Sequence, residues 1–324
     1  MFQEPKLTKR EKPMIEISHL TRNYGEQKAV DDISFKVARG EIVGFLGPNG
    51  AGKTTTMKII TCFMPQTSGS ITVGGFRVQD HSLEIRRMIG YLPELNPLYG
   101  EMNVVDFLRY VAELREIPKE DHNRRIREMV DTCGLEGVLH KNITELSKGY
   151  RQRVGLAQAM IHNPEILILD EPTIGLDPNQ VVDIRNLIKK LGREKTVILS
   201  THILSEVQAT CDRAVIINRG KIVADSSLAD LQRDLEGKQT INLELLEGAT
   251  GVVERLEGLS GVEECRQTFP EAVHSLNYRI LAASGVDPRS EIFAAAVEAG
   301  WTIIGLSREI RSLEDVFHKL TMAA

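Results

Sequence analysis

"GPNGAGKT", Gly47 to Thr54, is the stretch whose reading decides the fold. It matches the spacing G-x-x-x-x-G-K-[ST]. The apolar run "EIVGFL" leads into it and the helical pattern "TTTMKIITCFM" follows it, the strand–loop–helix setting that a phosphate loop requires. Glycines let successive backbone N–H groups turn toward phosphate oxygens, and the N-terminal end of the following helix adds partial positive charge. The candidate nucleotide-binding residues are therefore Gly47, Pro48, Asn49, Gly50, Ala51, Gly52, Lys53, Thr54 and Thr55. Lys53 is expected to reach the β- and γ-phosphates of ATP, and Thr54 to ligate Mg2+.

The other chemistry-bearing residues follow short apolar runs. "ILILDE" reads as a buried parallel strand ending on Asp170 and Glu171. A strand end of this kind lies at the carboxyl edge of the sheet, beside the phosphate loop. There Asp170 can hold Mg2+ through water and Glu171 can face the attacking water. "TVILSTH" brings His202 to a neighbouring strand end. Its expected task is to bond the γ-phosphate and orient Glu171 and the water. Tyr24, after the first strand pattern, is positioned to stack on adenine.

The rest of the chain alternates strand and helix patterns, with a helical stretch from Met102 to about Leu146; this is α/β alternation with a helical insertion. Near residue 237 the punctuation changes. Strand Thr240–Leu245, helix Gly251–Leu259, strands Val262–Thr268 and Ser275–Ala282, helix Pro288–Ala299 and strand Trp301–Ser307 make the split β-α-β-β-α-β order, followed by a last helix. Asp287 with Pro288 reads as an N-cap followed by a first-turn proline, and Gly300 as the stop. Ser312 with Asp315 resembles a capping box for the last helix. The expected boundary is about Glu236.

Length and composition bound the alternatives. A chain of 324 residues fits two domains. The net charge of −5 argues against nucleic acid as a partner, and the basic cluster Arg124, Arg125 and Arg127 reads as a solvated helix face. The four cysteines, Cys62, Cys133, Cys211 and Cys265, form no metal-binding spacing and read as reduced thiols. "MFQEPKLTKREKP", residues 1–13, is charged and lacks an apolar core, so it reads as a loose tail and not as a signal peptide. No run of about 18 apolar residues occurs, so a membrane role is expected to come through a partner.

In chain order, Tyr24, "GPNGAGKTT", "GYLPE", "LSKGY", "ILILDEP", "GLDP" and "STH" resemble the aromatic loop, Walker A, Q-loop, signature, Walker B, D-loop and switch histidine of the ATP-binding subunit of ATP-binding cassette (ABC) transporters. The resemblance covers residues 14 to about 236. The ending "SLEDVFHKLT" looks like the extension on ATPases of ABC-2 type exporters. "IGYLPELNPLY" with "LSKGYRQRVGLAQAM" resembles the branch of gliding-motility-associated ABC ATPases.

The resemblance implies a P-loop NTPase cassette: a RecA-like α/β core with an antiparallel β subdomain and a helical subdomain at about residues 95–162. A small α+β, ferredoxin-like domain for regulation or dimerisation would occupy residues 237–324. It implies ATP hydrolysis with Mg2+, on the cytoplasmic face of a membrane. A second copy or a homologous ATPase subunit would pair head to tail, and integral membrane permease subunits would be driven. Glu171 and His202 would be catalytic. Ser147, Gly149 and Asp177 would act on the ATP held by the other subunit.

Two departures stand out. Lys148 and Tyr150 replace a Gly and the Gln of the usual LSGGQ signature; Lys148 either adds positive charge near the γ-phosphate or points into solvent. Glu94 stands where the Q-loop Gln is usual; it either accepts from a metal-bound water or faces the membrane partner. Leu98, Tyr99 and Met102 either dock that partner or form the core of the helical insertion. A soluble ABC ATPase acting on ribosomes or nucleic acid is the alternative function; one cassette and a negative net charge weigh against it.

Overall fold

The computed structural model describes residues 13–230, 239–268, 275–283, 286–309 and 317. The chain divides into two compact units between Leu228 and Ala229; the expected boundary residue, Glu236, lies outside the described residues.

In the first unit Ile15–Tyr24 (β1), Gln27–Val37 (β2), Ser68–Val73 (β4) and Phe76–Arg77 (β5) form an antiparallel sheet in the order β2-β1-β4-β5. The second sheet comprises Ile42–Leu46 (β3), Ile89–Leu92 (β6), Ile166–Asp170 (β7), Thr196–Thr201 (β8), Arg213–Asn218 (β9) and Lys221–Ser227 (β10), in the order β10-β9-β3-β8-β7-β6. All its pairings are parallel except β9 with β10. Every residue of β3, β7 and β8 is buried, which explains why these strands read as unbroken apolar runs.

Helix α1 (Lys53–Ile60) joins the two sheets: its Met57, Ile59 and Ile60 share one core with Ile17, Val30 and Phe35 of the antiparallel sheet and Phe45, Ile168 and Ile198 of the parallel one. Phe35 and Phe45 stack at 5.3 Å. The helix ends because Cys62 turns left-handed (φ 58°). Its N–H then reaches Ile59 O and that of Phe63 reaches Lys58 O, the pair of bonds that closes a Schellman turn.

The helical insertion holds α3 (Val104–Leu114), α4 (Lys119–Cys133) and α5 (Lys148–Met160); Ser82–Met88 (α2) precedes it. The polar-looking α4 is a helix because His122, Ile126, Met129, Val130 and Cys133 recur on one buried face. Pro118 precedes it and Gly134 ends it at φ 64°. Beyond β7 come α6 (Pro178–Gly192) and α7 (Leu204–Thr210). The reading of "PNQVVDIRNLIKKLG" as a helix coincides with α6, with Pro178 at the start and Asp177 as N-cap. The short strand β6, on the edge of the parallel sheet, was not anticipated.

In the second unit Gln239–Leu246 (β11), Val262–Thr268 (β12), Ser275–Ala282 (β13) and Ile303–Glu309 (β14) pair antiparallel in the order β12-β13-β11-β14. With helices Val252–Glu257 and Arg289–Ala299 between strands, this is the split βαβ arrangement. Ile241, Leu243, Leu245, Tyr278 and Ile280 pack with Val252, Leu256 and Ile292 in its core. One detail is corrected: Pro288 occupies the N-cap position and the helix starts at Arg289. Asp287 still accepts from the Arg289 N–H at 3.3 Å. Gly300 ends the helix at φ 70°. Ser312, Asp315 and the expected last helix lie outside the described residues. Among the described residues no helix is long and apolar enough to cross a membrane.

Candidate functional site

The parallel order β3-β8-β7 brings three strand ends side by side: β3 runs into the phosphate loop, β7 ends on Asp170, and β8 ends at Thr201, one residue before His202. A ligand site at the carboxyl ends of such strands is the general expectation for this architecture. The loop itself is tightly built. Gly52 has φ 109°, and a Cβ there would lie 2.4 Å from Ala29 O, so only glycine fits. Lys53 is 6% exposed and donates to Gly47 O at 2.8 Å and Pro48 O at 3.3 Å. Thr54 and Thr55, in the first turn of α1, are partly exposed.

Glu171 is the hub. One carboxylate oxygen lies 3.3 Å from Lys53 Nζ. The other accepts from His202 Nδ1 at 2.9 Å. A carboxylate can only accept, so Nδ1 carries the proton and Nε2 of the neutral ring is left as an acceptor. The Glu171 backbone is left-handed at φ 49° and its N–H is bound by Ser200 O at 2.9 Å. This conformation costs on the order of 1–3 kcal/mol in a non-glycine residue and persists only where surrounding contacts enforce it.

Asp170 is fully buried, and neither carboxylate oxygen has a partner. The Ser200 hydroxyl, on the β8 residue paired with Asp170, and the Tyr91 hydroxyl on β6 also lack partners. Burial raises the Tyr91 hydroxyl well above its ordinary pKa, and the Asp170 and Glu94 carboxylates add to this. An unpaired buried carboxylate is costly. Bare oxygen donors suit a hard, hydrated cation, so the Asp170 carboxylate with the Thr54 hydroxyl fits Mg2+.

The signature residues form a second group. Ser147 caps α5, its Oγ accepting from the Tyr150 N–H at 3.4 Å. Gly149 is buried, and a Cβ there would lie 2.6 Å from the side-chain amide of Gln180 on α6. Arg153 of α5 pairs with Asp183 of α6 at 2.8 Å. Asp177 caps α6 through the Gln180 N–H at 3.0 Å. Lys148 does not simply extend into solvent: its ammonium lies against Gly175, where a Cβ would fall 2.1 Å from Nζ. Tyr150 is 38% exposed. Among the described residues, no hydrogen bond or ion pair joins Ser147–Tyr150 to the phosphate loop.

Tyr24 is half-exposed; its hydroxyl donates to Met64 Sδ at 3.2 Å and the Arg22 guanidinium lies 5.0 Å from its ring. Glu94 is exposed and lines a groove of about 550 Å³ with Asn96, Lys148 and Arg151. A neighbouring groove of about 720 Å³ runs past Leu83, Arg86, Leu98, Tyr99, Phe107 and Leu114. Tyr99 is 56% exposed and packs edge-on against Tyr110 at 5.5 Å, so it belongs to the groove wall and not to a closed core. Leu98 and Met102 are partly buried.

The residues missed from sequence are Tyr91, Ser200, Thr173, Thr201 and Glu206. Their types carry no local signal: Ser200 pairs with Asp170 across β7 and β8, Tyr91 stands on β6 next to β7, and Glu206 on α7 binds Thr173 and Thr201, which flank Glu171 and His202.

Residues 30–174 match the family model described as ABC transporter. The chain is 33% identical to the uncharacterized ABC transporter ATP-binding protein YxlF of Bacillus subtilis (strain 168), covering 96% of this chain and 100% of that protein. It is 33% identical to the bacitracin transport ATP-binding protein BcrA of Bacillus licheniformis, covering 95% of this chain and 97% of that protein. Among solved structures, the dimeric bacterial ABC transporter cassette MJ0796 matches with a TM-score of 0.61 and 27% identity, over 66% of this chain and 99% of that one. A phosphate loop beside paired acidic and histidine strand ends, with relatives matched along almost the whole chain, shows that this protein belongs to the ABC transporter family as an ATP-binding, ATP-hydrolysing subunit.

Proposed function

We propose that two copies of this chain, or one copy and a homologous subunit, close head to tail around two ATP molecules and drive an ABC-2 type permease in export. The observation that carries this reading is that, among the described residues, no hydrogen bond or ion pair ties the signature turn, Ser147 to Tyr150, to the phosphate loop of the same chain. One chain supplies a loop for one face of the phosphates, and the α5 N-terminus is left for another nucleotide. The capped start of α5 offers free N–H groups and partial positive charge to a γ-phosphate across the interface. Lys148, held against Gly175, adds a charge beside the loop that leads to Asp177.

In this reading Lys53 transfers its contact from Glu171 to the phosphates when ATP binds. Glu171 then takes the proton of the attacking water. His202 keeps Nδ1–H on Glu171 and faces the γ-phosphate with Nε2, which donates there once that nitrogen takes up a proton from solvent. Thr54 and Asp170 would hold Mg2+, which when bound neutralises charge on the phosphate oxygens. Glu94, at the groove edge, acts at the junction with the permease. Tyr99, Leu83 and Leu114 offer that permease an apolar surface on the cytoplasmic side of the membrane. The export direction and the gliding-motility-associated resemblance rest on the residue patterns of "SLEDVFHKLT" and "LSKGYRQRVGLAQAM". The bacitracin transport ATP-binding relative is in keeping with a transport role.

The deciding experiment is purification of the full chain from membranes and from cytosol, with identification of co-purifying integral membrane proteins and assay of Mg2+-dependent ATP turnover. A permease in the membrane fraction is expected. Association with ribosomes in place of membranes would overturn the transport reading.

A further inference from the structure

Behind the Glu171–His202 pair lies a second, buried tie between the same two strand ends. Glu206 on α7 is 3% exposed. Its Oε1 accepts from the Thr173 hydroxyl at 2.5 Å and its Oε2 from the Thr201 hydroxyl at 2.8 Å. Thr173 stands two residues after Glu171, and Thr201 immediately precedes His202. Thr201 Oγ1 also accepts the Ile203 N–H at 3.1 Å, so its own hydrogen is committed to the carboxylate.

The arrangement is specific. Each carboxylate oxygen holds one strand end, and both threonines are buried. The neighbours of Glu206 on α7, Leu204 and Val207, are buried apolar residues, so an apolar side chain at 206 would serve packing alone at lower cost than a carboxylate. A carboxylate instead demands two donors, and so specifies where both threonines must stand. The residue held on the far side of this clamp is Glu171, whose left-handed backbone requires enforcement from its surroundings.

We infer that Glu206 is a positioning residue for ATP hydrolysis. By holding Thr173 and Thr201 it sets the distance between Glu171 and His202 without touching the nucleotide. The inference rests on the proposed assignment of Glu171 and His202 as catalytic.

The test is a hydroxyl series in the full chain: Thr173→Val, Thr201→Val, Thr173→Ser and Thr201→Ser, with Glu206→Gln and Glu206→Ala. Turnover, ATP affinity by equilibrium dialysis and melting temperature are read together. Misplacing a reacting group by about 1 Å costs roughly 100-fold, so each Val variant is expected to lose about 10- to 100-fold in kcat. ATP affinity should stay within about twofold, because the loss falls on the transition state alone. The Ser variants, which keep the hydroxyl, should restore turnover. Thr173→Val combined with Glu206→Ala should be no slower than the slower single variant, because Glu206→Ala already removes the tie to Thr173. Wild-type turnover in both Val variants would overturn the inference. So would a loss of kcat, affinity and melting temperature in step that serine does not restore, which marks a structural role only. Glu171→Gln and His202→Ala are assayed alongside. If they turn over normally the catalytic assignment fails; if they are inactive and the threonine series is silent, only the role of Glu206 fails.

Discussion

Lys53 Nζ and Glu171 Oε1 stand 3.3 Å apart, each side chain only 6% exposed. The phosphate-loop lysine and Glu171, the acid that follows β7, are thus partners within one chain. Removing one member of a buried pair strands the other. Lys53→Ala is therefore expected to abolish tight ATP binding and also to lower stability by about 3 kcal/mol. Combining it with Glu171→Gln should recover part of that loss. Equilibrium dialysis with ATP and urea unfolding of the single and double variants check both halves.

Glu171→Gln keeps the shape of the side chain and removes the base. Turnover should fall by about 100- to 10,000-fold, the range for a general base, while ATP binding persists. The variant should then accumulate as an ATP-bound dimer, visible by light scattering at saturating ATP. A variant that stays monomeric even with its permease present would count against the head-to-tail arrangement.

Gly52→Ala places a methyl 2.4 Å from the Ala29 carbonyl at φ 109°. Backbone blocks it, so no side chain can swing aside. A loss of about 2 kcal/mol or more is expected, along with loss of ATP binding. Thermal melts with and without ATP test this: the variant should melt lower and show no ATP-dependent rise.

His162 gives the fold a pH dependence. Burial lowers its pKa to about 4, and Arg115 and Arg125 oppose the cation, against the hydrogen bond with Ile89 O. The unfolded chain takes up this proton near pH 6.5 and the folded chain only near 4. Stability from this group is therefore complete above about pH 6.5 and is lost as pH falls toward 4. The loss is on the order of 2–3 kcal/mol. His162→Gln should flatten the urea-unfolding midpoint between pH 7 and pH 4.5 relative to wild type.

Tyr99 stands out on the groove beside Leu83 and Leu114. If this groove seats the permease, Tyr99→Ala should weaken membrane recruitment by roughly 30-fold, the scale of an aromatic hot spot worth about 2 kcal/mol. Turnover of the isolated subunit should not change. Membrane flotation and ATPase assays on the same preparation separate the two effects.

What could be read along the chain was whatever depends on local geometry. The phosphate loop is legible because eight consecutive residues carry their own mechanism. The helix Pro178–Gly192 is legible because Asp177 caps it, Pro178 starts it and the apolar spacing fits one face. The split βαβ unit is legible because its strands and helices alternate with clear stops, Gly300 among them. The edge strand Ile89–Leu92 was not, since four residues beside a loop read as strand only once β7 offers them a partner.

At the site the same division holds. Sequence alone marked the groups proposed to touch a phosphate or a metal: Lys53, Thr54, Asp170, Glu171 and His202 are chemically distinctive and each follows a strand pattern. Sequence also marked Lys148 as unusual, but not where its side chain goes. Tertiary structure decided that Lys148 lies on Gly175, that Glu171 is shared between Lys53 and His202, and that Glu206 clasps Thr173 and Thr201. Most of these contacts join residues far apart in the chain, such as Glu171 with Lys53 and His202, because the parallel order β3-β8-β7 sets their strand ends side by side. Backbone pairing sets that order, and no short stretch of side chains encodes it.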